Sequence, residues 1–199
     1  MNLEEYRTVF VVGGLILCLV ASAPALGLVL FFSGGGERFS ELWVLGPGHM
    51  AEDYPFNVVA DESYLVYVGV GNHLGSSVYY VVCVKFRNQS EALPNATAGT
   101  PSPLSPLYEY HVFLEDGESW EAPLTFSFSG VSSLENRSLV GSLAINDVAF
   151  DVDKLASWDA ENDGYYYQLF MELWIYSLES DGFQYHDRFV TRWLNMTGV

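Results

Sequence analysis

Asp159-Ala160-Glu161-Asn162-Asp163-Gly164 sets acids at the first, third and fifth places of a run that ends in glycine. Oxygen ligands at that spacing, before a glycine that permits a sharp turn, are what a calcium-binding EF-hand loop uses. The twelfth place is Phe170, where such a loop needs a bidentate glutamate, and a β pattern follows instead of a helix. The run therefore reads as an acidic turn entering a strand, and Asp159, Glu161 and Asp163 are the residues a metal would use if one bound. Asp147, Asp151 and Asp153 would add carboxylates only if the fold brought them near.

Other reactive side chains lie apart. His49, His73, His111 and His186 are scattered, and there is no HExxH, CxxC or GxSxG. Gly34-Gly35-Gly36 follows no strand and precedes no GK[ST], so it is a linker and not a phosphate loop. Cys18 and Cys83 fall in different kinds of segment and give no disulfide framework. Cys83, inside an apolar β run, reads as a small buried hydrophobe. The sequence implies no cofactor and no catalytic residue, which points away from an enzyme; a hydrolase assembled from distant residues ranks behind the two readings given below.

Aromatic residues are a stronger signal. Tyr165, Tyr166, Tyr167, Phe170, Trp174, Tyr176, Phe183, Tyr185, Phe189 and Trp193 crowd the last two apolar runs, too many for one aliphatic face. If one face is core, rings on the other could stack on sugars or on a neighbouring subunit, with Trp174, Tyr176, Tyr185 and Trp193 as the candidate interface. The alternative is that a second sheet and the loops cover both faces.

The elements that must position these residues begin with an anchor. Thr8 to Phe32 carries no charge and, at about 1.5 Å per residue, reaches about 37 Å as a helix, enough to cross a bilayer core of about 30 Å. Ala21-Ser22-Ala23 has the form of a signal-peptidase site, but the apolar run continues past Pro24 to Phe32, so the expectation is an uncleaved span. Gly13, Gly14, Ala23 and Gly27 would let another helix approach closely. The organisation expected is a cytoplasmic tail 1–7, a membrane helix 8–32, a linker 33–36 and an extracytoplasmic domain 37–199 with an exposed loop 91–106.

Net charge of −17 repels phosphate backbones and argues against nucleic acid. Arg7 and Arg38 flank the anchor evenly, so the positive-inside rule does not orient it. Glycosylation acceptors do: Asn88-Gln89-Ser90, Asn95-Ala96-Thr97, Asn136-Arg137-Ser138 and Asn195-Met196-Thr197 favour an exported domain and make Asn88, Asn95, Asn136 and Asn195 candidate glycosylation sites.

Beyond the anchor the runs are β-branched and aromatic. Glu37 to Leu45 reads as a strand closed by Gly46-Pro47-Gly48. Ser63 to Gly71 and Ser77 to Phe86, split by a five-residue turn signal, predict a hairpin; Tyr108 to Leu114 and Ser119 to Ser129 predict another pair. Leu139 to Ile145 and Val148 to Val152 flank Asn146-Asp147, a tight hairpin turn. Tyr165 to Tyr176 and Phe183 to Leu194 form the last pair. Alternation puts Leu169, Met171, Leu173 and Ile175 on its core face and Phe170, Glu172, Trp174 and Tyr176 on the other, with Glu172 expected in solvent. Seven or eight antiparallel strands predict an all-β ectodomain, an immunoglobulin-like antiparallel β-sandwich, behind a single N-terminal transmembrane helix.

The run from Gly36 to Pro47, including Glu41, Trp43 and Gly46, with Ala51-Glu52-Asp53-Tyr54-Pro55, Val68-Gly69-Val70-Gly71-Asn72-His73 and Glu172-Leu173-Trp174-Ile175-Tyr176, resembles the ectodomain of a family of archaeal membrane proteins known as domain of unknown function sixteen-sixteen. Many members carry several membrane helices before this domain, where this chain has one. The resemblance implies a surface location and transfers no catalytic residue. The leading expectation is a single-pass cell-surface protein whose non-catalytic module contacts membrane lipid through its helix and envelope proteins or glycans through its domain. The alternative is an accessory subunit of a larger membrane complex, its anchor packed on partner helices.

Overall fold

The computed structural model describes Tyr6, Arg7, Val11, Val12, Ile16 and residues 37–198. The chain divides into two units, Met1–Arg38 and Phe39–Val199. In the first unit those five residues are helical, and no helix among the described residues is long and apolar enough to cross a membrane. The other residues of the expected tail and of the anchor 8–32, and all of the linker 33–36, lie outside the described residues.

The second unit is mostly strand: β1 (Phe39–Leu45), β2 (Asn57–Val58), β3 (Ser63–His73), β4 (Val78–Asn88), β5 (Tyr108–Leu114), β6 (Ser119–Leu134), β7 (Arg137–Ile145), β8 (Val148–Asp159), β9 (Gly164–Ser177) and β10 (Gly182–Met196). They form one curled sheet. Its first half runs β1-β3-β6-β7-β8 and its second β5-β4-β9-β10-β2. β8 joins the halves, pairing with β7 along most of its length and with β9 at Trp158 and Asp159. All pairings between the strands are antiparallel except that of β2 with β10, which is parallel.

Period-two alternation makes the curl close. Val66, Val68 and Val70 of β3 with Leu124, Phe126 and Phe128 of β6 share one core with Tyr80, Val82, Val84 and Phe86 of β4 and Tyr167, Leu169, Met171 and Leu173 of β9. Burying such side chains stabilises by about 1.5–3 kcal/mol each, and with the lone described cysteine unpaired this core carries the stability.

Two expected hairpins are absent. β3 pairs with β1 and β6, while β4 pairs with β5 and β9, so the link 74–77 crosses from one half of the sheet to the other. β5 and β6 are separated in the same way. The physical reason is Asn72, fully buried where both links turn. Its Nδ2 donates to the carbonyls of Ser76, Leu114 and Glu115, its Oδ1 accepts from Leu74 N–H and the Tyr80 hydroxyl, and its backbone bonds Glu118 and Gly117. One side chain thus ties two arches together. The turn at Asn146-Asp147 is a hairpin as expected: Ile145 faces Val148, and both central residues have positive φ, which asparagine and aspartate tolerate.

Candidate functional site

The face of the second half-sheet turned away from the core carries the chemistry. On β4 it presents Tyr79, Val81, Cys83, Lys85 and Arg87; on β9, Tyr166, Gln168, Phe170, Glu172, Trp174 and Tyr176. Glu172, expected in solvent, is fully buried. The segment after β4 folds back across this face, so a charged residue placed outward by alternation is still sealed from water. Within the loop 91–106, Ala92, Asn95, Thr97 to Thr100, Pro103, Ser105 and Pro106 are exposed, whereas Pro94 and Ser102 are buried. Ser102 N–H donates to Glu172 Oε1 at 2.7 Å, and its carbonyl accepts from Lys85 Nζ at 3.2 Å. Lys85 Nζ also donates to Glu172 Oε2 at 2.7 Å, and Trp174 Nε1 donates to the same oxygen. A buried charge is tolerated when its hydrogen-bonding capacity is met in this way.

Residues of this face line two depressions. One, of about 390 Å³, is lined by Phe56, Gln89, Asp159, Asn162, Tyr166 and Trp193. Its rings meet at angles: Tyr166 lies 6.1 Å from Phe56, tilted, and 6.2 Å from Trp193, edge to face. Asp159 Oδ1 accepts the backbone N–H groups of Glu161 and Asn162, and its Oδ2 accepts Asn162 Nδ2. Those bonds, the Asn162 side chain first, hold the carboxyl below its usual range. Asp159, Glu161 and Asp163 thus stand in a turn whose first carboxylate is occupied by the turn itself.

The second depression, of about 300 Å³, includes Cys83, Lys85, Pro106, Glu109, His111, Trp174 and Phe183. Burial, with Glu109 and Glu172 acting in the same direction, pushes the Cys83 thiol up to about 12, so it is a protonated filler rather than a thiolate nucleophile. Trp174 and Tyr185 meet edge to face at 6.0 Å, and Tyr176 packs on Phe183 at 5.4 Å. Of the four candidate interface residues, Trp174, Tyr176 and Tyr185 cluster at this end, and Trp193, 45% exposed, stands at the other.

The candidate acceptor asparagines divide. Asn95 and Asn136 are exposed, one in the crossing segment and one at the β6–β7 turn. Asn88 Nδ2 donates to Leu155 O, and Asn195 Nδ2 donates to Asn57 Oδ1 while its Oδ1 accepts Tyr165 N–H. A side chain at position 164 would overlap the Asn195 amide, so Gly164 is what admits it.

A serine and a histidine do meet: Ser40 Oγ lies 2.9 Å from His186 Nε2 and 2.7 Å from the Tyr80 hydroxyl. Ser40 is only 1% exposed, so a substrate carbonyl does not reach it, and the trio serves to join β1 to β10 at the bulge between Tyr185 and Arg188.

Sequence reasoning missed Phe56, Gln89, Asn72 and the pairing of Lys85 with Glu172. The last had a signal: a lysine inside one apolar strand and a glutamate inside another are charges that need a partner.

The motifs behind the family resemblance also meet. Trp43 of β1 lies opposite Gly69 of β3, where any side chain would overlap the indole, and Glu41 lies opposite Gly71. A family model described as Domain of unknown function (DUF1616) matches residues 33–137. The chain belongs to this family. The DUF1616 match stops short of β9 and β10, so Glu172 to Tyr176 lie beyond it, as do Asp159, Asn162, Tyr166 and Trp193 of the first depression and Trp174 and Phe183 of the second. No curated protein matches. Among solved structures, the chain is similar to a beta-glucosidase from Listeria innocua, with isofagomine (TM-score 0.40, 11% identity, 82% of this chain and 17% of that one) and with glucose (TM-score 0.40, 11% identity, 83% and 17%). It spans about a sixth of the length of those structures.

Proposed function

We propose that the chain is a single-pass membrane protein of the cell surface whose exported domain, an immunoglobulin-like antiparallel β-sandwich, is a non-catalytic binding module. The N-terminal tail lies in the cytoplasm and residues after Phe32 lie outside. The observation that supports the binding reading most is the aromatic outer face of β9 and β10: half-exposed rings on rigid strands beside polar groups, where a purely structural face would be covered. The uncharged run Thr8 to Phe32 supports the anchor, and the exposed acceptors Asn95 and Asn136 support export and glycosylation.

Protease added to intact cells tests the topology. Removal of the domain while cytoplasmic markers survive supports it, and protection until the cells are opened reverses it.

The second reading, an accessory subunit of a membrane complex, draws on Phe113, 65% exposed on strand β5 at the edge of the sheet. Stoichiometric co-purification of integral membrane partners in mild detergent would favour it over the first.

A further inference from the structure

We infer that the depression bounded by Trp193, Phe56 and Asp159 binds a short stretch of neutral glycan. This rests on reading the domain as an exported binding module and names that module's ligand class. Phe56 and Trp193 are 47% and 45% exposed, and Tyr166 sits between them. Because Tyr166 meets Trp193 at 89°, the rings line a corner and not a flat stack, so apolar surface is offered from two directions. A pyranose ring has that complement: C–H groups on its faces and hydroxyls around its edge.

The polar groups match hydroxyls specifically. Asp159 accepts, while the amides of Gln89 and Asn162 carry both donors and acceptors, and a hydroxyl does both. Charge narrows the class further. An ionised carboxylate inside the depression, on a chain of net charge −17, opposes phosphate, sulfate and acidic sugars. Asp159 and Asn162 bond each other, but an acyl chain would cover the Gln89 amide and the remaining lone pair of the Asp159 carboxylate without hydrogen bonding to them. Backbone strand addition is not offered here, because β2 already pairs with β10 at Asn195 and Met196.

The site is also preorganised. Tyr166 and Trp193 stand on paired strands, Tyr166 donates its hydroxyl proton to Asn162 O, and Asp159 is fixed by its own turn. Little ordering cost remains for a ligand. The volume suits a small ligand rather than a protein surface.

The test is titration of the full chain, in a detergent without a sugar headgroup, with neutral oligosaccharides of glucose, mannose and N-acetylglucosamine, followed by calorimetry and tryptophan fluorescence. Saturable binding to at least one neutral series is expected, with Trp193→Ala and Phe56→Ala each weakening it about tenfold. Asp159→Asn keeps an acceptor for the turn, so it should fold and still bind several-fold more weakly. Trp193→Phe keeps a ring and should retain most of the affinity; an unchanged circular dichroism spectrum certifies each variant. No saturable binding by the folded wild type, preference for anionic oligosaccharides, or binding that Trp193→Ala leaves unchanged but Trp174→Ala abolishes would each overturn the assignment. If binding fails while protease on intact cells still removes the domain, the ligand class falls and the exported module stands.

Discussion

Lys85 on β4 and Glu172 on β9 meet at 2.7 Å, diagonally across the strand pair and almost wholly out of solvent, on the side of the sheet opposite the shared core. Removing one partner leaves an uncompensated buried charge. Lys85→Met and Glu172→Leu should therefore each cost about 3 to 5 kcal/mol, whereas the double variant should recover most of the loss. Chemical denaturation of the detergent-solubilised chain, read by tryptophan fluorescence, closes the cycle. Additive losses in the double variant would mean that the two charges do not depend on each other.

Leu173, on the core face of the same strand, is fully buried. Leu173→Ala should cost about 2 to 5 kcal/mol by lost transfer energy and the cavity left behind. A loss below about 1 kcal/mol in the same denaturation would contradict its burial.

Asn72→Ala should cost about 3 kcal/mol or more, because the carbonyls of Ser76, Leu114 and Glu115 and the N–H of Leu74 lose their partner together. Amide exchange should rise at both links, 74–77 and 115–118, and not at the β7–β8 turn. Faster exchange at only one link would show that the arches are independent.

Burial pulls the His186 imidazole below its ordinary value; the Arg188 charge acts the same way and Asp187 opposes them. The fold thus holds the neutral ring. A base with its folded pKa below the unfolded one, about 6.5, contributes stability above that value and loses it as pH falls through the folded value. Stability should decline as the pH falls below about 6.5, and His186→Gln should flatten that decline. Equal slopes for the two proteins would assign the pH response to other groups.

Glycan occupancy should separate the four sequons when the chain is made in a glycosylating host. Mass spectrometry of the purified protein should find sugar at Asn95 and Asn136, and little at Asn88 and Asn195, whose amide nitrogens are already donating. Full occupancy of Asn195 would mean that the Asn57 contact forms only after modification or not at all.

The strands were legible because β-branched and aromatic runs state their own extent: Tyr108 to Leu114 is β5 to the residue, and the Asn146-Asp147 turn needs two residues that accept positive φ. Their partners were less legible. A link of four or five residues closes a hairpin or an arch equally well, and what decides is Asn72, whose bonds reach residues more than forty places away. Glu172 misled for a related reason. Alternation assigns a face, but whether that face is wet depends on a covering segment that holds only Ser102 and Pro94 inside. The candidate glycan site was half legible: Tyr166 and Trp193 lie in the aromatic runs, while Phe56 and Gln89 reach them through topology alone.

The pairing of β4 with β9 also sets a clock. At about 5–20 residues per second of synthesis, the chain between Asn88 and Gly164 takes roughly 4–15 s to appear. Through that interval one of the most apolar strands of the domain waits with an open edge, able to join the wrong neighbour. Lys85 and Arg87 sit within it as gatekeepers. The charge that later locks the crossing segment in place first keeps the nascent strand from aggregating, so replacing Lys85 by an apolar residue, even alongside a compensated Glu172, should lower the yield of folded protein although the finished domain is stable.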